Sequence, residues 1–196
     1  MPDNEHIKRL LRVIALNDDQ KAYKELYLLL YYRLKQFGYS ILKSNEEAEE
    51  LVSDVFLRIW ERRDQLTSIE SPTLYFYTTT KNLALTRINR QKRFVGIAPE
   101  DWLVQMKSIY FDPEQQVITE ETLLHIKKSI NDLPPRCRLI FKLIKEDGLR
   151  YKEVAELLHL SVKTIEAQMA IALRRIGKCM HTEVGTPSLH FIKKIS

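Results

Sequence analysis

The stretch Tyr151–Ile176, YKEVAELLHLSVKTIEAQMAIALRRI, constrains the fold more than any other part of the chain. Val154, Ala155, Leu157 and Leu158 fall on one side of a helix. After the interruption His159-Leu160-Ser161, the residues Val162, Ile165, Met169, Ala172 and Ile176 recur at steps of three and four. Such steps align apolar side chains along one face of an α-helix, whereas a strand would need strict alternation. Two helices joined by a tight turn are therefore expected. The Ser161 hydroxyl can accept from an orphan N–H of the second helix, and His159 tolerates a left-handed turn better than most residues. The opposite face of the second helix offers Lys163, Thr164, Glu166, Ala167, Gln168 and Ala170, with Arg174 and Arg175 further along. Two structures fit this pattern. One is a packed helical hairpin with a solvated face. The other is a helix-turn-helix whose second helix enters the major groove while its arginines meet phosphate.

The rest of the chain also reads as helix. Its 196 residues allow one large domain or two small ones, and only five glycines interrupt a sequence rich in Leu, Lys, Glu and Arg. No sustained apolar/polar alternation occurs, so an all-α fold is expected. Cys137 and Cys179 are far apart, and neither lies in a CxxC pair. That spacing predicts a reducing compartment, no metal site and no cofactor. Met1 to Gln20 is charged throughout, unlike a secretory signal, and no apolar run approaches the length of a membrane span. A cytoplasmic protein with no direct membrane insertion is expected. A Gly-rich phosphate loop, paired His/Cys ligand spacing and a nucleophile elbow are all missing, so an enzyme is not expected.

Charge is distributed in blocks. Ser44–Glu70 carries three basic and eight acidic residues, and the next 24 residues, Ser71–Phe94, carry five basic and no acidic ones. Val95–Thr122 has one basic and six acidic residues, while Leu123–Ser196 has fourteen basic and seven acidic. Two separated basic blocks predict two contacts with a polyanion. The boundaries follow: an N-terminal helical domain at 1–94, a linker at 95–113 containing Gly96, Pro99 and Pro113, a C-terminal helix-turn-helix domain at 114–180 and a tail at 181–196. Tyr23–Tyr39 reads as a helix ending near Gly38. Asn45 is the expected N-cap of the acidic helix EEAEELVSDVFLRIWERR, whose apolar set is Ala48, Leu51, Val52, Val55, Phe56, Ile59 and Trp60. Pro72 is expected to open a helix running to about Arg93. The double proline of DLPPRCRLIFKLIKEDGL should open another helix and Gly148 should end it.

The order of these motifs resembles a known family. An acidic helix ending DVFLRIW, a basic aromatic helix YFYTTTKNLALTRINRQKR, a linker and then LPPRCRLIFKLIKEDGLRYKEVAELLHLSVKTIEAQMAIALRRI together resemble a bacterial sigma factor of the extracytoplasmic-function group of the sigma-70 family. The resemblance covers about residues 8 to 178. It implies two helical domains, with core RNA polymerase and promoter DNA, both single-stranded and duplex, as partners and an anti-sigma factor as a further one. It places Glu50, Ser53, Asp54 and Leu57 at the polymerase. It gives Tyr75, Tyr77, Lys81, Asn82, Arg87 and Arg90 to melted promoter, where aromatic platforms and cations hold unstacked bases. Tyr75, Phe76 and Tyr77 cannot share one helix face, since successive residues turn by about 100°, and Phe76 is the one expected in the core. The upstream duplex element falls to Arg150, Lys152, Lys163, Thr164, Glu166, Ala167, Gln168, Ala170, Arg174 and Arg175.

Five positions depart from the family pattern. Ser53 replaces a common glutamine, Thr86 a frequent acid and His159 the usual turn glycine, and Glu166 and Ile171 stand where basic residues are usual. The phosphate grip is accordingly expected at Arg150, Lys152, Arg174 and Arg175. Two other readings stay open. A helix-turn-helix regulator could bind duplex without polymerase, although it would have no need of the basic aromatic helix. A helical adaptor could lack any DNA role, although it would not account for the charge blocks.

Overall fold

A computed structural model describes residues 4–92 and 127–183. Among them all regular structure is helical, and they form two compact units, 4–92 with 147–149 in the first and 127–146 with 150–183 in the second.

The first unit contains α1 (Asn4–Asn17), α2 (Gln20–Leu42), α3 (Asn45–Glu61), a 3₁₀ turn (Arg63–Ser68) and α4 (Pro72–Lys92). Its centre is α2, which packs against α1, α3 and α4. Ile7, Leu11 and Ile14 of α1, Leu26, Leu30 and Leu34 of α2, Leu51, Val52, Val55 and Ile59 of α3, and Phe76 and Tyr77 of α4 are all buried. In α1, α2 and α3 the buried residues recur at three- and four-residue steps, and the helix is the conformation that gathers those side chains on one face. The Asp19 carboxylate starts α2 by accepting from the N–H groups of Lys21 and Ala22 at 2.8 and 2.9 Å.

The end of α2 and the start of α3 differ from expectation. Gly38 does not end α2, which continues to Leu42 and stops at Lys43 with φ +64°. Gly38 is instead the close approach of α2 to α3, where an added Cβ would stand 2.7 Å from Leu51 Cδ2. The N-cap of α3 is Ser44 and not Asn45: its hydroxyl accepts from the Glu47 N–H at 3.2 Å and donates to the Glu46 carboxylate at 2.9 Å. The N–H of Glu46 itself, foremost, and the Ser44 hydroxyl hold the Glu46 carboxyl below its usual range.

In the second unit, helical residues 127–131 (α5) lead to α6 (Pro135–Lys145), α7 (Tyr151–Leu158) and α8 (Val162–Glu183). Pro135 opens α6 at its first position, as the double proline implied, and Gly148 takes φ +76° beyond its end. Cys137, Ile140, Phe141 and Leu143 of α6 close over Val154, Leu157 and Leu158 of α7 and Ile165, Met169, Ala172 and Ile176 of α8. The expected linker, the start of the second domain at 114 and the tail beyond Glu183 lie outside the described residues. No helix among the described residues is long and apolar enough to cross a membrane.

Candidate nucleic-acid interface

The turn between α7 and α8 is set by backbone hydrogen bonds. His159 adopts φ +53°, ψ +47°. The Leu160 N–H donates to the Ala155 carbonyl at 2.9 Å and the His159 N–H to the Glu156 carbonyl at 3.2 Å. This paired closure lets a left-handed residue end one helix and aim the next. Ser161 then caps α8, its hydroxyl accepting from the Thr164 N–H at 3.0 Å. At the front of α7 the Arg150 N–H donates to the Glu153 carboxylate at 2.7 Å. The result is a helix-turn-helix with Arg150 and Lys152 exposed at the start of its first helix.

Burial sorts the α8 candidates. Lys163, Glu166, Ala167, Ala170, Arg174 and Arg175 are exposed, whereas Thr164 and Gln168 are half-buried. The Thr164 hydroxyl is engaged with Ser161 Oγ at 2.8 Å, so it serves the cap. Gln168 sits beside the packed stripe, and its backbone carbonyl accepts from the Cys137 thiol at 3.2 Å. Burial pushes that thiol up, so it stays protonated and joins α6 to α8.

On α4 the structure divides the candidates. Tyr75 is half-buried, and Asn82 and Arg90 are exposed. Tyr77 and Lys81, expected to face melted promoter, are buried at 1% and 4% exposure. The reason is angular. Thr73, Phe76, Tyr77, Thr80, Lys81 and Ala84 share the packed face of α4, where the Tyr77 ring meets Phe37 at 4.9 Å. Phe76 is buried as expected, but so is its neighbour. Arg87 is also redirected. It donates to the Glu47 carbonyl at 3.1 Å and pairs with the Glu50 carboxylate at 3.3 Å and the Asp54 carboxylate at 2.5 Å, all on α3. The helix turns a different row outward: Tyr75, Thr78, Thr79, Asn82, Thr86, Asn89 and Arg90. Counting threes and fours from Asn82 would have found this row, and the cluster of charges obscured it.

Glu50, Ser53, Asp54 and Leu57 all lie on the exposed side of α3, with Leu57 56% exposed. The Ser53 hydroxyl donates back to the Glu49 carbonyl at 3.2 Å, within its own helix. Beside this face runs an aromatic ladder that the sequence reading did not single out. Tyr23, Tyr27 and Tyr31 of α2 stand four residues apart. Tyr23 meets Trp60 at 4.9 Å between ring centres, Tyr27 meets Phe56 at 4.8 Å and Tyr31 meets Tyr27 at 5.2 Å. Trp60, expected in the core, is half-buried, with the Arg63 guanidinium 5.0 Å from its ring centre.

Comparison with known proteins places both units. Residues 23–94 match the sequence model of sigma-70 region 2, and residues 124–176 match that of sigma-70 region 4. The chain is similar to the ECF RNA polymerase sigma factor SigW of Bacillus subtilis (strain 168), with 25% identity over 170 residues that cover 83% of this chain and 90% of SigW. It is also similar to the ECF RNA polymerase sigma factor SigK of Mycobacterium tuberculosis, with 23% identity over 177 residues, 87% of this chain and 91% of SigK. Among solved structures, the sigma factor RpoE in complex with the anti-sigma factor NepR from Bartonella quintana shares the fold. The TM-score is 0.53 at 22% identity, covering 84% of this chain and 99% of RpoE.

Proposed function

The chain belongs to the extracytoplasmic-function group of the sigma-70 family and directs promoter-specific transcription initiation, and from this premise we propose how its surfaces divide that work. The exposed face of α3 docks on core RNA polymerase through Glu50, Asp54 and Leu57, with Ser53 among them. The outward row of α4 holds the melted promoter strand. Tyr75 offers a ring on which a base can stack, Asn82 offers an amide for a base edge, and Arg90 supplies a positive charge for the backbone. Arg150 and Lys152 grip phosphate beside the upstream duplex element while α8 lies in its major groove. Residues 95–113 link the two activities, and the work takes place in the cytoplasm with the polymerase. An anti-sigma factor is a third partner, a reading supported by the complex in which RpoE was solved.

The observation that carries this reading is the order of the two matches, region 2 on the first helical unit and region 4 on the second. The test is reconstitution with core polymerase followed by run-off transcription from a promoter library. Core binding without specific initiation would overturn the DNA assignments. Leu57→Asp sharpens the docking claim, because Leu57 is exposed and its loss costs little stability. Core affinity should fall at least tenfold while the melting temperature stays within about 2 °C, as expected for a surface change. Unaltered core affinity would remove α3 from the interface.

A further inference from the structure

α8 presents an apolar patch in the middle of its outward face. Ala167 and Ala170 are exposed there, and Ile171 is 38% exposed. Ala167 stands three residues from Ala170 and four from Ile171, so the three side chains are neighbours on one helix surface. Lys163 lies four residues before Ala167, and Arg174 and Arg175 lie four residues after Ala170 and Ile171 respectively. All three cations are exposed, and none makes an ion pair among the described residues. A patch between cations at both ends suits a polyanion whose interior edge is apolar. Of the polar side chains beside it, Thr164 serves the cap and Gln168 is half-buried, while the exposed Glu166 can only accept, as from a cytosine amino group, and offers nothing to a thymine. The major groove displays one apolar group, the C5-methyl of thymine, which alanine and larger apolar side chains contact directly.

We propose that Ile171, with Ala167 and Ala170, reads thymine methyl groups in the duplex element bound by α8. The inference rests on the assignment of α8 to duplex DNA and adds what α8 recognises there. Ile171 becomes a specificity-determining residue, and the element it meets carries thymine at one or two fixed positions, on either strand.

The experiment uses holoenzyme reconstituted with core polymerase and a duplex enriched by it from a random library. Each thymine under the upstream footprint is replaced in turn by deoxyuridine, which removes only the methyl. At one or two positions affinity should fall about fourfold, the worth of one buried methyl. Ile171→Ala should lose a similar factor on the thymine duplex and become indifferent to the same replacement. If single-base preferences persist but no thymine is sensitive, the methyl reading is wrong and the α8 assignment stands. If a thymine is sensitive equally in wild type and in Ile171→Ala, another residue reads it. If the variant loses core affinity and no methyl dependence appears, the patch is a protein contact. If the holoenzyme shows no duplex preference at all, the α8 assignment itself falls.

Discussion

α4 and α8 are the two long helices assigned to DNA, 21 and 22 residues respectively, and they treat their cations in opposite ways. α4 packs against α1, α2 and α3, so little of its circumference remains outside. Lys81 is buried in that packing, Arg87 is held by carboxylates of α3, and the outward row carries hydroxyls, amides, Tyr75 and Arg90. α8 packs on one side only, against α6 and α7, and leaves Lys163, Arg174 and Arg175 exposed. A cation's task therefore depends on its angle from the buried stripe and on how many helices share that stripe. A narrow, mostly uncharged row suits unstacked bases, where stacking and hydrogen bonds carry the affinity. A broad face edged with arginine suits duplex, where neutralising phosphate does.

Tyr77→Ala should cost about 3–5 kcal/mol, the usual range for deleting a buried aromatic. The midpoint of urea denaturation followed on the full chain should fall accordingly. A midpoint close to wild type would put Tyr77 on the surface and restore it as a base platform. Two residues away, Tyr75→Ala should change stability by at most about 1 kcal/mol. It should instead weaken binding of a single-stranded promoter strand by the holoenzyme by roughly 1–3 kcal/mol, the worth of one stacked base. Unchanged affinity for that strand would end the stacking role.

Salt dependence separates the two helices next. Arg174→Ala should weaken all duplexes about equally and flatten the slope of log K against log salt by roughly 0.9, the share of one phosphate contact. Lys81→Met should leave that slope unchanged, because a buried side chain releases no counterions. A flatter slope for Lys81→Met would show that α4 opens in the complex. The smallest effect belongs to the tie between α3 and α4. Arg87→Ala should cost about 0.5–1 kcal/mol, since its carboxylate partners are well exposed. A double-mutant cycle with Asp54→Asn measures the coupling, and zero coupling would mean that the pair adds nothing in solution.

Much of the fold was legible in the chain. The stripes of α3 and α8, the helix opened by Pro72, the Ser161 cap and the left-handed His159 follow from apolar spacing and local hydrogen bonding, which act over a few residues. The exposed positions of Glu50, Ser53, Asp54 and Leu57 and of the front of α8 follow too, because each of those helices has one clear stripe and the rest faces out. α4 was harder to read. Its buried face mixes Thr73, Tyr77, Thr80 and Lys81 with Phe76 and Ala84, so polarity alone could not mark which side was inside. Gly38 shows the same limit: a glycine suits both a helix end and the close approach of another helix, and only the position of Leu51 decides between them.

The helices, the turn at His159-Leu160-Ser161 and the family follow from residues near one another or from motif order. Which cations stay available to DNA depends instead on how the helices pack. Lys81, Arg87 and Arg90 are the same kind of residue within ten positions of one helix. Burial, the carboxylates of α3 and open solvent give them three different fates. A charged side chain is governed by the groups that surround it, and those groups arrive from distant parts of the chain.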